Sequence, residues 1–194
     1  MAELNTLNDL FENELRDVYD AEKQILKALP KIIKAAKDAG LREALTMHLD
    51  ETRGQVERLE QAFASLNLEP KGKHCAGMAG ILEEGSDLLE EDGNDAVLDA
   101  AFIAGCQRVE HYEITAYGTL MAWAKVLGHE EALKLLEVNE REEKAADMKL
   151  SKIAEAVNLK AAGAVEESDN DEKKETPRPA RKSSRASGTR SNMN

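Results

Sequence analysis

The chain has few prolines, cysteines and aromatic residues, and it lacks a long hydrophobic run. Four prolines and 4% aromatic residues among 194 leave long stretches of Ala, Leu, Glu and Lys, whose side chains lose little rotamer freedom in a helix. Two cysteines, Cys75 and Cys106, are too few for a disulfide framework or a zinc site. No apolar run approaches the ~18 residues of a membrane span. These absences favour an all-α protein.

The charge balance restricts the partners further. Basic residues number 26 and acidic residues 38, a formal charge of −12 that would repel the phosphates of nucleic acid. Acidic residues recur through the first twenty positions, which excludes the apolar core of a secretory signal there. We therefore predict a cytoplasmic protein that does not use a membrane. Nucleic acid is expected to bind weakly at most, through a basic terminal segment.

Composition divides the chain into two parts. Residues 1–160 show the apolar periodicity of helices, whereas residues 161–194 do not. Within that second part, residues 176–194 hold five basic residues and no acid. Such a segment buries too little apolar surface to offset the entropy of ordering it. The prediction is a helical bundle over residues 1–160, followed by a disordered tail with a basic end over residues 161–194.

Four long helical segments are predicted, with a short one in the connection between the second and third. Their approximate bounds are 6–39, 41–66, 78–89 (the short one), 95–127 and 130–157. Gly40 and Gly128 are candidates for a left-handed residue at the two tight turns, and Pro30 is expected to bend the first helix. Two antiparallel hairpins joined by a long connection predict a ferritin-like bundle with an up-down-down-up path.

Each long segment has an apolar seam with steps of three and four residues, and polar residues interrupt every seam near its middle. The interruptions are Glu22 on the first segment; His48, Thr52 and Gln55 on the second, with Glu51 beside them; Glu110 and Glu113 on the third; and Glu140, Glu143 and Asp147 on the fourth. Counted from the tight turns, these positions reach similar depths in the two hairpins. The polar interruptions are therefore expected to meet inside the bundle.

Buried carboxylates that lie together repel one another and cost free energy unless a cation neutralises them. No basic residue lies on the predicted seams. Oxygen-rich clusters suit iron or manganese, and acids from four helices can bridge two ions. The acids expected to form such a cluster are Glu22, Glu110, Glu113, Glu143 and Asp147. For one such acid alone, a solvated position is the simpler interpretation, and His48, Tyr117 and Cys106 are interpreted as ordinary core or boundary residues.

Five segments resemble the YciE/YciF family of bacterial stress proteins. They are Leu7–Phe11, Glu14–Gln24, His48–Thr52, Arg108–Gly118 and Glu142–Asp147. The resemblance implies a ferritin-like bundle, a homodimer and induction under osmotic or oxidative stress. The family is in turn distantly similar to rubrerythrins, bacterioferritins and manganese catalases. Carried over residue by residue, that similarity implies metal-ligand roles for Glu22, Glu51, Glu110, Glu113, Glu143 and Asp147, with His48 and Gln55 as possible additional ligands.

The sequence departs from those distant relatives at two positions. Their two-metal sites use one Glu and one Glu-x-x-His motif in each hairpin, but Gly54 and Ala146 occupy the positions of the two histidines here. Gln55 and Asp147 are the nearest alternative donors, and His48 precedes Glu51 instead of following it. A shell richer in oxygen would change the redox potential and the metal preference of the site.

Two functions remain open from the sequence. The first is a dinuclear iron or manganese protein of the stress response that handles peroxide, oxygen or free metal. The second is a non-catalytic, stress-induced bundle that acts through its dimer surface or its tail and keeps only a vestigial metal site. The metal content of protein purified without chelator distinguishes these two hypotheses.

Overall fold

The computed structural model describes residues 4–171, with side chains over residues 4–163. Within that range there is no strand, and the helices are α1 (Leu7–Ala35), α2 (Ala39–Ser65), α3 (Ala76–Asp87), α4 (Asp95–Leu127) and α5 (Glu130–Asp171). The all-α prediction is confirmed, including the short helix in the long connection. That short helix begins two residues earlier than predicted, because the Sγ atom of Cys75 accepts the backbone N–H of Met78 and caps it.

The four long helices pack in a ring. α1 lies against α2 and α4, α5 lies against the same two helices, and α3 covers α1 and α4 from outside. Apolar residues of the seams form two buried clusters, one around Phe11, Leu59 and Leu136 and the other around Ile25, Leu45 and Ile103. The polar interruptions of the seams therefore lie between two apolar layers, which exclude water from both ends of the polar layer.

The turn between α1 and α2 differs from the prediction. α1 ends at Ala35, and Gly40 lies inside α2 without a positive φ angle, so its assignment as a left-handed cap was wrong. Asp38 instead caps α2, because its Oδ1 accepts the N–H groups of Gly40 at 2.9 Å and Leu41 at 3.1 Å. The prediction for Gly128 is confirmed, with a left-handed φ of 76° after α4. Pro30 lies inside α1 and does not end it.

A buried carboxylate from another helix holds the same turn. Asp99 of α4 is 3% exposed and accepts the backbone N–H groups of Lys37 at 2.9 Å and Asp38 at 2.6 Å. These N–H groups precede α2, are only partly buried, and have no acceptor within their own turn. The position of the turn therefore depends on a residue that lies about sixty positions further along the chain.

We expect Asp99→Ala to destabilise the protein by about 2–3 kcal/mol, because it removes a buried carboxylate that accepts two backbone hydrogen bonds. Urea unfolding at fixed pH measures this change in the free energy of unfolding. Asp92→Ala is the matched control, since Asp92 is exposed in the connection before α4. Equal unfolding midpoints for the two variants would contradict the proposed role of Asp99.

The last helix is longer than predicted. α5 continues past Val157 to Asp171, through helix-favouring residues such as Ala161 and Ala162. Val157 is its last buried residue among those with described side chains, and Lys160 reaches back to Asp38 with an Nζ–Oδ2 distance of 2.8 Å. The division of the chain at residue 160 stays a prediction, and residues 172–194, the rest of the predicted tail, lie outside the described residues.

No helix in residues 4–171 is long and apolar enough to span a bilayer.

Candidate metal centre

The middles of α1, α2, α4 and α5 bring a group of polar side chains into the polar layer. Six of the predicted site residues are at most 5% exposed: Glu22, His48, Gln55, Glu110, Glu113 and Glu143. Each belongs to the apolar seam of its helix, so the packing that buries neighbouring Leu and Ile side chains buries these as well. Periodicity alone thus placed these six residues in the interior correctly.

The side chains that lie closest together in this layer are one histidine and three glutamates. His48, Glu110, Glu113 and Glu143 each offer one donor atom, and these four atoms lie within 4.8 Å of one another. The Nε2 atom of His48 lies 3.4 Å from Oε1 of Glu110. Taken alone, His48 was interpreted from the sequence as an ordinary core or boundary residue, and the family resemblance made it a possible additional ligand. The structure places it among the acids.

Glu22 borders this group from α1. Its Oε1 accepts a hydrogen bond from the hydroxyl of Tyr117. Glu143 lies close enough to raise the pKa of Glu22, and Glu22 lies close enough to raise the pKa of Glu113. Tyr117 is therefore more than the packing residue that the sequence indicated, since its hydroxyl orients one of the candidate ligands.

Two predicted ligands lie at the edge of the group. The side chain of Glu51 is 40% exposed, with Oε2 at 3.8 Å from Nδ1 of His48. The side chain of Asp147 is 21% exposed, and its Oδ1 accepts from Nε2 of Gln107 at 2.9 Å and lies 3.4 Å from Nε2 of His111. The structure brings neither of them into the group formed by His48 and the three glutamates.

A hydrogen-bonded chain behind the acids was not predicted. The Nδ2 atom of Asn139, a fully buried residue of α5, donates to the hydroxyl of Tyr117 at 3.0 Å and to the backbone oxygen of Gln55 at 3.3 Å. Arg58 donates to Oδ1 of Asn139 and to Glu142. Gln55 donates to Oε1 of Glu143. These contacts hold Tyr117 and Glu143 in position.

The sequence contains a signal that Asn139 is buried, but it contains none that Arg58 contacts α5. Asn139 lies four residues before Glu143, so a seam that steps from Leu136 to Asn139 includes it. The predicted seam stepped to Glu140 instead, and that side chain pairs with Lys144 at 2.6 Å. Arg58 is charged and flanks the seam of α2, and nothing in its local pattern indicates that it reaches α5.

Several polar atoms of the group have no hydrogen-bond partner. Among the described side chains, eight buried N or O atoms lack one, and all belong to this layer: Oε2 of Glu22, both ring nitrogens of His48, Oε1 of Gln55, Oε2 of Glu110, both carboxylate oxygens of Glu113, and Oε2 of Glu143. A folded protein normally satisfies buried polar atoms, since each unsatisfied one costs about 1–3 kcal/mol. Their concentration in one layer indicates a site for a bound cation.

Burial changes the ionisation of these acids. Desolvation, reinforced by the charge of Glu143, raises the pKa of Glu22 from 4.5 to about 8, and desolvation with the charges of Glu22 and Asp147 does the same for Glu110. Desolvation and neighbouring carboxylates raise the pKa values of Glu113 and Glu143 well above the ordinary value. Without a cation, these acids therefore hold protons at a pH where solvated acids are ionised.

The pKa of His48 is also raised, but by a different balance of causes. Burial alone would lower the pKa of its imidazole, but Glu51, Glu143 and Glu22 raise it above 6.5 overall. The imidazole is the one nitrogen donor among the four residues of the group.

The donor set fits a transition-metal ion of intermediate hardness. Three carboxylates and one imidazole match the preferences of iron and manganese better than those of the softer, thiolate-binding metals. Cys106 is one helical turn from Glu110, and burial together with the Glu110 charge raises the pKa of its thiol to about 12, so it is a poor thiolate donor.

Comparisons with known proteins agree with this picture of the fold. Residues 6–162 match the family described as Domain of unknown function (DUF892). Protein YciF of Escherichia coli K12 is 44% identical over 160 residues, which is 81% of this chain and 96% of that protein. The crystal structure of YciF, described as an E. coli stress protein, superposes with a TM-score of 0.78 at 43% identity and covers 81% of this chain and 99% of the other.

Two further structures are similar. YcfI of Rhodopseudomonas palustris, described as a candidate structural protein, superposes with a TM-score of 0.76 at 47% identity, covering 77% of this chain and 95% of the other. A protein of Xanthomonas campestris pv. campestris superposes with a TM-score of 0.68 at 17% identity, covering 83% of this chain and 99% of the other. At that identity the likeness concerns the fold alone.

Proposed function

The chain belongs to the DUF892 family of YciF-like proteins, and on this basis we propose that it is a ferritin-like protein of the stress response that binds two iron or manganese ions. The observation that carries this proposal is the concentration of unsatisfied carboxylate and imidazole atoms between two apolar layers. Bound cations would neutralise the charges and accept the free lone pairs, which no other described group does.

His48, Glu110, Glu113 and Glu143 would hold the first ion. Glu22, beside Glu113 and Glu143, extends the set of donors towards a second ion. Glu51 and Asp147 lie at its edge and would complete the shells only after their side chains rotate inward. When bound, iron or manganese supplies a redox centre for peroxide or oxygen and a store for free metal.

The chain's own residues would position and protect that centre. Tyr117 orients Glu22, Gln55 orients Glu143, and Asn139 fixes the hydroxyl of Tyr117. The protons that the acids carry without metal must leave as a cation binds, so metal affinity should rise with pH. Gln55 and Asn139 carry no charge in any state, so the exchange of protons for a cation would leave their own protonation unchanged.

The path of the four long helices, the homodimer and the cellular location are further parts of the proposal. The ring order α1–α2–α5–α4 supports an up-down-down-up path, because each hairpin pairs neighbours and α2 adjoins α5. A homodimer and a cytoplasmic location remain the predictions made from the sequence and the family resemblance.

The alternative function is a non-catalytic, stress-induced bundle that acts through its dimer surface or its tail. Two observations favour it. Tyr117 and Gln55 already satisfy one oxygen each of Glu22 and Glu143, so part of the site is stable without a cation. The similar protein YcfI is described as a candidate structural protein.

Metal content separates the two functions. We expect protein purified without chelator from metal-replete cells to contain about two iron or manganese ions per chain, the content of a two-metal carboxylate site. Glu143→Gln should lower this to less than one, because it removes a central carboxylate. Glu140→Gln, one turn away on α5 and paired with Lys144, should leave it unchanged. Elemental analysis measures all three, and absence of metal from the wild-type protein would favour the alternative.

A further inference from the structure

A cavity of about 330 Å³ lies between α1, α3 and α4, outside the carboxylate layer. Its volume is at the lower end of the ~300–1,000 Å³ of small-molecule pockets. Most of its lining is apolar and includes Ile25, Leu29, Leu82, Leu89 and Phe102. Leu82 and Leu89 belong to α3 and its C-terminal end, and they are only partly buried although they face other apolar side chains.

The cavity ends near the carboxylate layer. Cys106, Val109 and Glu110 contribute to its wall, and Glu110 also lines a smaller cavity of about 230 Å³ on the side of α2 and α5. The larger cavity thus extends from the surface beside α3 to the outer side of one candidate metal ligand.

The exposed part of the lining carries a positive charge. Lys27 and Lys31 are exposed, lie one helical turn apart on α1, and form no ion pair within 4.0 Å among the described side chains. On the α3 side the exposed lining residues are Glu83 and Ser86, so the two ammonium groups outnumber the one carboxylate. An apolar interior with cations at its opening suits an amphiphile with an anionic head.

Two glycines leave the cavity open. Gly85 on α3 and Gly105 on α4 line it, and a Cβ atom added at either position would meet no atom within 4 Å. Glycine inside a helix is less favourable than other residues. The space beside Gly105 is therefore free for a larger side chain, which makes this position suitable for blocking the cavity.

We propose that this cavity binds a medium-chain fatty-acid anion, with the hydrocarbon chain against Leu29, Leu82 and Phe102 and the carboxylate at Lys27 and Lys31. A volume of about 330 Å³ accommodates roughly ten non-hydrogen atoms at ~30 Å³ each, the share of a water molecule in the liquid. The far end of the chain reaches Cys106 and Glu110. Binding here does not require metal in the carboxylate layer.

Calorimetric titration of the full chain with decanoate, below its micelle concentration, tests the proposal. We expect one decanoate per chain, bound at least about tenfold more tightly than decyltrimethylammonium, which has the same tail and a cationic head. Gly105→Leu should abolish binding, and Gly163→Leu on α5, where an added Cβ also meets nothing, should not. Replacing Lys27 and Lys31 together by Ala should weaken decanoate binding without weakening binding of the cationic analogue.

Thermal melts and metal analysis of the same variants show whether a loss of decanoate binding is due to unfolding or to loss of metal. Gly105→Leu should melt no lower than the wild type, since leucine favours the helix more than glycine does, and its metal content should be unchanged. Repeating the titration with chelator separates this cavity from the metal site, because decanoate should bind in both conditions. Equal binding to the wild type and Gly105→Leu, or equal affinity for both probes, overturns the proposal. So would a wild-type dimer that Gly105→Leu dissociates, since the cavity would then be an interface between two copies.

Discussion

The metal-free protein should unfold at a lower temperature at pH 8 than at pH 5. The acids responsible are Glu22 and Glu110, whose pKa values are raised by burial and neighbouring charges to about 8, and Glu113 and Glu143, whose pKa values burial and neighbouring carboxylates raise well above 4.5. A group with a raised folded pKa contributes stability that is fully present below its unfolded value, here 4.5, and that is lost as pH rises through the folded pKa. The raised pKa of His48 acts in the same direction.

Two acids with lowered pKa values contribute little between pH 5 and pH 8. Asp20 and Asp38 have lowered pKa values, owing to hydrogen bonds that outweigh burial for Asp20 and to the Lys160 hydrogen bond for Asp38. Their contribution is present above 3.8 and is lost only as pH falls below it, outside the range from pH 5 to pH 8.

Thermal melts at several pH values after chelator treatment measure the effect. One pKa unit corresponds to about 1.4 kcal/mol, and ~1 kcal/mol shifts the melting temperature of a chain of this size by about 2–4 °C. We therefore expect a fall of about 5 °C or more between pH 5 and pH 8. The metal-loaded protein is the control and should show a smaller fall. Equal melting temperatures at both pH values without metal would mean that these acids do not form a buried cluster.

Glu113→Gln should raise the melting temperature of the metal-free protein at pH 8 while weakening metal binding. Neither oxygen of Glu113 has a hydrogen-bond partner, and Glu143, Glu22 and Glu110 all oppose its ionisation. Glutamine has nearly the same shape and no charge, so it removes repulsion without leaving a cavity. Its amide can also donate to a neighbouring carboxylate, as Gln55 does to Glu143. The same substitution removes a ligand from the proposed metal site.

Two measurements on one pair of variants test this. The first is the melting temperature in chelator at pH 5 and pH 8, where the gain from Glu113→Gln should be greater at pH 8. The second is metal retained after dialysis, which should fall at least about tenfold below the wild type, as expected for the loss of a central ligand. Glu137→Gln, on the exposed side of α5, should change neither quantity. A destabilised Glu113→Gln protein with normal metal content would contradict both the buried cluster and the proposed site.

Sequence periodicity was sufficient to place the central residues. The seam of α2, with Leu45, His48, Thr52, Gln55 and Leu59, is buried throughout as predicted. This succeeds because the orientation of a side chain around a helix depends only on the local repeat of 3.6 residues. Polar residues that occupy the same helical face as the apolar core residues are therefore predicted to be buried with them. The same local logic identified Gly128, since a left-handed residue after a helix favours glycine.

The sequence could not decide how far each side chain reaches into the polar layer. Glu51 lies beside its seam and Asp147 lies on its seam, yet both remain at the edge of the group. A small rotation of α2 or α5 about its axis is enough to separate a buried ligand from a surface acid. That rotation is determined by packing against other helices. The choice between Asn139 and Glu140 as the buried residue of α5 has the same origin, because the two are adjacent in sequence and only the neighbours of α5 distinguish them.

Local sequence thus determined the helices, their buried faces and a central group of carboxylates with a histidine among them. Tertiary structure decided which distant residues complete that arrangement. Asp99 of α4 accepts a backbone hydrogen bond from the turn before α2. Arg58 of α2 donates to Asn139 and Glu142 of α5. Such contacts join residues more than sixty positions apart, and their hydrogen bonds form only where the packed helices bring donor and acceptor within about 3 Å. No local periodicity encodes these donor–acceptor distances, so the contacts become visible only in the folded structure.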